Sequence, residues 1–346
     1  MVKVPKGYRS RNVKRNSGGG SGGGFGFGRR SSSGGGSLGG GGGLGSGGLG
    51  GALGGAGASS VGRRKGCGGV TGLVVLVVFG ILLFACLGGG GGGVLDSGGD
   101  GLTSGSNGVD AGSSNSGSTD SGDSCAGNSG AILDACELAN FVLDDVQDNF
   151  WVDEYPRVFG VGYQFSELNL FSNNVSTGGC GTASSSVGPF YCPADGNAYI
   201  DLQFMLQLQQ QLGAEGDFAQ AYILAHEIGH HVQNLAGINA SVRSQQSQAG
   251  SQAEANALLV MLELQADCFA GAWAADADAR GNILDEGDLN EGVRAAGSVG
   301  DDAITGSTNQ ENFTHGSSAQ RIEWFERGFF DGTEGCGTFG GSLFPQ

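Results

Sequence analysis

The segment Ala225–Gln233 holds the pattern His-Glu-x-x-His, with His226, Glu227 and His230 as its fixed members. Two histidines four positions apart can serve one metal ion when the backbone between them is helical, which puts the rings one turn apart. The flanking residues agree with a helix. Phe218, Ala221, Ala225, Ile228, Val232 and Leu235 recur at steps of three and four and form one apolar stripe. Asp217 and Gln220 have the spacing of a capping box, and Gly237 suits the left-handed position just past the end. Glu227 lies slightly round the helix from the two histidines. From there it can act on a water at the metal without itself ligating. His231 points about 100° away from His230 and is not expected to share the ion.

A catalytic zinc keeps three protein ligands and one open position, so two histidines need a third partner. Glu263 is the best candidate, within Leu262-Glu263-Leu264-Gln265-Ala266-Asp267-Cys268-Phe269. This segment also reads as a helix, with Ser251 and Glu254 spaced as a capping box at its start and Gly281 beyond its end. Asp267 follows Glu263 by one turn and shares its face. The mostly apolar neighbours argue that both carboxylates are buried. Asp267 then suits a role behind the metal, accepting the free ring N–H of a ligating histidine.

These stretches resemble a known family. Asp217–Tyr222 leading into His226–Gln233, then Glu263–Gly271, are similar to the bacterial neutral zinc metallopeptidases that carry an N-terminal membrane anchor. Further matches are Gly188–Pro193, Tyr199–Leu202 and Phe313–Arg321, so the resemblance covers roughly residues 130–335. It implies an α+β, zincin-like domain of the gluzincin type, zinc as cofactor and peptidase activity on a peptide or protein substrate. It does not supply that substrate.

The rest of the chain is uneven. Residues 1–69 contain eleven Lys or Arg, no Asp or Glu, and long Gly/Ser runs, so they cannot bury a core and are expected to be disordered. Residues 70–87, Val70 to Leu87, are uncharged and as a helix would be about 27 Å long, close to the hydrocarbon thickness of a bilayer. Arg63, Arg64 and Lys65 just before it predict a single-pass anchor with the N-terminus cytoplasmic and the domain outside. The basic tail then meets anionic lipid rather than nucleic acid. Residues 88–130 are rich in Gly, Ser, Asp and Asn and read as a flexible linker. All 34 acidic residues lie from Asp96 onward, with only six arginines and no lysine. So acidic a domain, residues 131–346, should bind neither nucleic acid nor anionic lipid tightly.

Within the domain, Ala131–Phe150 reads as an amphipathic helix, and Tyr155–Phe171 and Val175–Asp201 as short strands. Ile200-Asp201-Leu202 is expected beside the metal helix, by analogy with zincin sheets. Asp288 with Glu291, and Ser317 with Gln320, mark two further helix starts. Six cysteines lie beyond the apolar stretch, and an even number in an exported domain suggests disulfides. Of the 15 possible pairings, Cys180 with Cys192 is preferred, because it closes a short loop.

The leading mechanism is metal-assisted peptide hydrolysis. Zinc is held by His226, His230 and Glu263, Glu227 serves as general base, and an extra donor faces the developing oxyanion. His315, just before the Ser317 helix, is the first candidate for that donor, with Tyr199 and Tyr222 behind it. The rival is a binding or scaffold module with a structural or degenerate zinc site. A fourth ligand from Asp267 or a cysteine would favour that rival. An intramembrane protease does not fit, because Gln220, Gln233 and Asn234 interrupt the apolar run of the motif helix.

Overall fold

In a computed structural model, residues 2–16, 124–211, 216–281 and 283–345 are described. The expected spanning segment 70–87 lies outside them, as do most of the basic tail and most of the linker. The described chain forms β1 (Val13–Arg15), then α1 (Ala131–Asp144), which runs through a π-helical stretch (Asp145–Trp151) into α2 (Val152–Phe159). Five short strands follow: β2 (Leu168–Phe171), β3 (Asn174–Ser176), β4 (Thr182–Ser184), β5 (Phe190–Cys192) and β6 (Asn197–Asp201). The rest is helical: α3 (Leu202–Gln211), α4 (Phe218–Leu235), α5 (Ile238–Gln246), α6 (Gln252–Ala279), α7 (Asp288–Ser298), α8 (Asp301–Thr305) and α9 (Ser318–Asp331). The architecture is α+β, as expected.

The main sheet has the order β1-β2-β6-β5. β1 and β6 both run parallel to β2, and β5 closes one edge antiparallel to β6. β3 and β4 form a separate antiparallel pair. β2 is buried along its whole length, as a strand flanked on both sides must be. β5 and β6 pack against α4, the helix that carries the histidine pair.

α6 is the central helix, in contact with both α4 and α9. Small residues set these crossings. A Cβ on Gly229 would meet Ala266 at 3.1 Å, and one on Gly328 would land on the carbonyl of Cys268. Around α6 the rings of Trp151, Phe218, Phe269 and Trp273 are fully buried, Phe218 stacking on Trp273 at 5.9 Å. Each such ring contributes about 1.5–3 kcal/mol by leaving water. α6 is also long and apolar enough to cross a membrane, but two thirds of its most apolar window, 67%, is buried within this domain.

Several expectations are corrected. Residues 2–16 are not a disordered tail: Val2 and Val13 are buried, and β1 is an edge strand of the sheet. A three-residue strand with two basic side chains carries no alternation that would announce it. The domain also begins before residue 131, because Ser124 and Cys125 are buried. Residues 155–159 are helical rather than extended, the helix closing on Gly160 at φ 74°. Asp217 does not cap α4 through its side chain. Its carboxylate accepts instead from Val2 N–H, while Glu291 of α7 accepts from the Phe218 N–H at 3.3 Å. Ser251 and Ser317 do cap their helices, Ser317 with a complete capping box. The preferred Cys180–Cys192 bridge is present, together with Cys125–Cys136 and Cys268–Cys336.

Candidate metal centre

α4 presents His226 and His230 one turn apart, their ring centroids 4.7 Å from each other. α6 brings Glu263 against them. Its carboxylate lies 3.2 Å from His226 Nε2 and 3.4 Å from His230 Nε2. One ligand atom from each residue falls within 4.8 Å of the others, and all three residues are buried. This is the set expected from the sequence. No fourth His, Cys, Asp or Glu joins it among the described residues. All six cysteines of the domain are spent on disulfides.

The ring nitrogens turned away from this point are each held by an oxygen. His226 Nδ1 is 2.8 Å from Asp267 Oδ1, and His230 Nδ1 is 2.9 Å from Gln233 Oε1. With protons on both Nδ1 atoms, both Nε2 lone pairs face Glu263. Asp267 thus stands behind His226, where the sequence placed it. Gln233 behind His230 was not anticipated. It is buried on the same helix, and its amide donates at 2.7 Å to the Leu262 carbonyl beside Glu263.

Asp267 collects three donors. Besides His226, it accepts from Tyr222 at 2.5 Å and from both Nε and Nη2 of Arg321 at 2.8 Å. Burial alone would raise its pKa, but Arg321 and then His226 hold the carboxyl below its ordinary value. Glu263 is similar: burial opposes its charge, yet the neighbouring histidines hold it well below the usual carboxylate range. Arg321 escaped the sequence reading, although it closes the last matched motif. Its signal is a basic residue on a helix alongside the buried Phe325.

Four side-chain atoms around this point are buried and have no hydrogen-bond partner: Glu227 Oε2, His230 Nε2, Glu263 Oε2 and His315 Nε2. A buried polar atom without a partner costs about 1–3 kcal/mol, so such a convergence marks a place built for something else. The donor set, two imidazoles and a carboxylate with charge-fixing partners behind them, fits a zinc ion. Burial pushes the Glu227 carboxyl up, against the pull of His230 and His226.

His315 is 1% exposed. Its Nδ1 lies 3.0 Å from Asp301 Oδ1, and Asp301 Oδ2 accepts the backbone N–H groups of Thr314, His315 and Gly316. Asp301 clamps the loop as well as the ring, a role no spacing rule would reveal. His315 is also, after the two motif histidines, among the groups that hold the Glu263 carboxyl low. The other two candidate donors are occupied, Tyr222 by Asp267 and Tyr199 by Asp195 at 2.7 Å. His231 faces elsewhere, as expected. Its Nε2 donates to the Gln164 carbonyl at 2.6 Å, Tyr191 lies on its Nδ1, and burial pushes it down to about 4.

The family model described as "Putative neutral zinc metallopeptidase" matches residues 21–339. The chain belongs to that family. It is 45% identical over 215 residues to "Uncharacterized protein YpfJ" of Escherichia coli K12, covering 61% of this chain and 73% of that protein. It is 46% identical over 193 residues to "Uncharacterized protein Rv2575" of Mycobacterium tuberculosis H37Rv, covering 51% of this chain and 64% of that one. No solved structure matches the chain.

Proposed function

We propose that this zinc metallopeptidase family member hydrolyses peptide bonds at the point where His226, His230 and Glu263 meet. The observation that carries this reading is the buried His226, His230 and Glu263 group, with Glu227 and His315, each holding a buried atom without a hydrogen-bond partner, near enough to interact with it electrostatically. A zinc ion there would activate a water and polarise the scissile carbonyl. Glu227, raised by burial, takes the proton from the water and hands it to the leaving amine. His315, steadied by Asp301 through Nδ1, is the side chain that stabilises the negative charge developing on the substrate oxygen. Asp267 and Gln233 hold the two ligand rings in place. The absence of a fourth protein ligand among the described residues favours this reading over a structural zinc site. The apolar stretch 70–87 holds the enzyme at a membrane.

The test is a peptide-library digest by the full chain loaded with zinc, alongside Glu227→Gln. The parent should cleave, and the variant should keep its zinc and lose at least about a hundredfold in rate. Zinc-loaded parent that cleaves nothing, or Glu227→Gln that cleaves like the parent, would reject this reading.

A further inference from the structure

The N-terminal segment is fastened to the domain along its length. Val2 N–H donates to Asp217 at 2.9 Å, and Lys3 N–H to the Ile283 carbonyl at 2.8 Å. Tyr8 and Ser10 both donate to Asp144, at 3.0 and 2.6 Å, and Ser10 N–H donates to Asn140. Val13, Lys14 and Arg15 then pair in register with Leu168, Asn169 and Leu170. The ladder is bounded by Leu168 N–H to Asn12 and Asn16 N–H to Leu170. The Lys14 ammonium lies 2.5 Å from Glu167.

The chain then departs and comes back at one place. Arg15 donates to the Ala126 carbonyl and to Asn128, and Asn16 and Ser124 line the same cavity of about 180 Å³. Residues 17–123 are therefore an excursion whose two ends are neighbours. That excursion contains the uncharged stretch 70–87. One crossing of a bilayer would set its ends on opposite faces, about 30 Å of hydrocarbon apart. It would also strip β1 from β2 and leave an apolar strand, Leu168–Phe171, with an open edge.

We propose that residues 2–16 and the metallopeptidase domain occupy the same side of the membrane. The chain between Asn16 and Ser124 then makes no net passage across the bilayer. This replaces the arrangement that the Arg63, Arg64 and Lys65 cluster predicts, with the N-terminus inside and the domain outside. The inference rests on the sheet and does not depend on the metal site.

The lysines make it testable in the intact full-length protein, because all four lie at or before residue 65. A membrane-impermeant amine reagent applied to intact cells reads the side of the Lys6 peptide, and an antibody against a C-terminal tag reads the side of the domain. A zero-length carbodiimide cross-link between Lys14 and Glu167, identified by mass spectrometry, reads the docking itself, with Lys14→Arg as the control that cannot form the amide. The expected result is the same accessibility for both ends and a cross-link in native membranes. Opposite accessibilities, or a cross-link that forms only after detergent dissolves the membrane, would overturn the proposal.

Discussion

Arg321 grips both carboxylate oxygens of Asp267, with Nε–Oδ2 and Nη2–Oδ1 each 2.8 Å, although 54 positions separate the two residues. The pair links α9 to α6 and, through Asp267, to the ring of His226 on α4. Both partners are buried, so neither charge has water to fall back on.

Arg321→Ala should therefore act twice. Leaving the buried Asp267 charge without its cation, with only Tyr222 and His226 as partners, costs up to roughly 3–5 kcal/mol of stability, and a loosened His226 weakens zinc by about 10–100-fold. Arg321→Lys should recover part of the stability but not the two-point geometry. Thermal unfolding without metal and zinc affinity of the folded variants check this. Parent-like zinc affinity in Arg321→Ala would show that the chain from Arg321 through Asp267 to His226 does not reach the metal.

Glu263 and Asp267 share a helix face one turn apart, yet the geometry gives them different tasks. Glu263 meets both Nε2 atoms, whereas Asp267 meets only His226 Nδ1. Glu263→Ala should abolish stoichiometric zinc binding, and Asp267→Ala should keep it at roughly 10–100-fold lower affinity. Isothermal titration of both variants decides. The reverse order of effects would exchange the two roles.

Gly328 sits where α9 crosses α6, and a Cβ there would collide with the Cys268 carbonyl. Backbone cannot retreat as a flexible side chain can, so Gly328→Ala should cost at least about 1–3 kcal/mol, the usual range for overpacking. At roughly 2–4 °C per kcal/mol for a domain of this size, the melting temperature reads it directly. Gly162→Ala, with nothing within 4 Å, is the control and should be close to neutral. Equal melting temperatures for the two variants would remove the close crossing as a cause of the glycine.

The residues that meet at the candidate metal centre were legible because helical spacing and the ligand count of zinc are local rules. His226, His230, Glu263 and Asp267 each follow from one of them. Arg321, Gln233 and Asp301 were not, because each acts across a tertiary contact that no spacing encodes. The helix caps show the same division. Ser317 caps through its own turn, as its sequence says, while Asp217 is diverted to Val2 and Glu291 from another helix takes its place. β1 was hidden because its pairing partner lies more than 150 residues away and its own three residues carry no pattern.

Tyr8 gives a pH signature for the docked N-terminal segment. Its hydroxyl donates to Asp144, and burial, then the Asp144 charge, push it up to about 12 from the ordinary 10. A group whose pKa is raised on folding stabilises the folded form below the unfolded value and loses that contribution as pH rises through the folded one. The stabilisation from Tyr8 should thus be complete below about pH 10 and fade between there and about pH 12. The other five tyrosines are also raised, so the signal must be isolated by difference. Tyr8→Phe removes the titrating group along with its hydrogen bond. The stability gap between parent and Tyr8→Phe, measured by denaturant unfolding, should be constant up to pH 10 and shrink above it. In an ultraviolet difference titration of the same pair, one tyrosine should titrate near pH 12. A gap that stays constant to pH 12, or a difference titration centred on pH 10, would mean that Tyr8 is free in solution and that the segment is not held against α1.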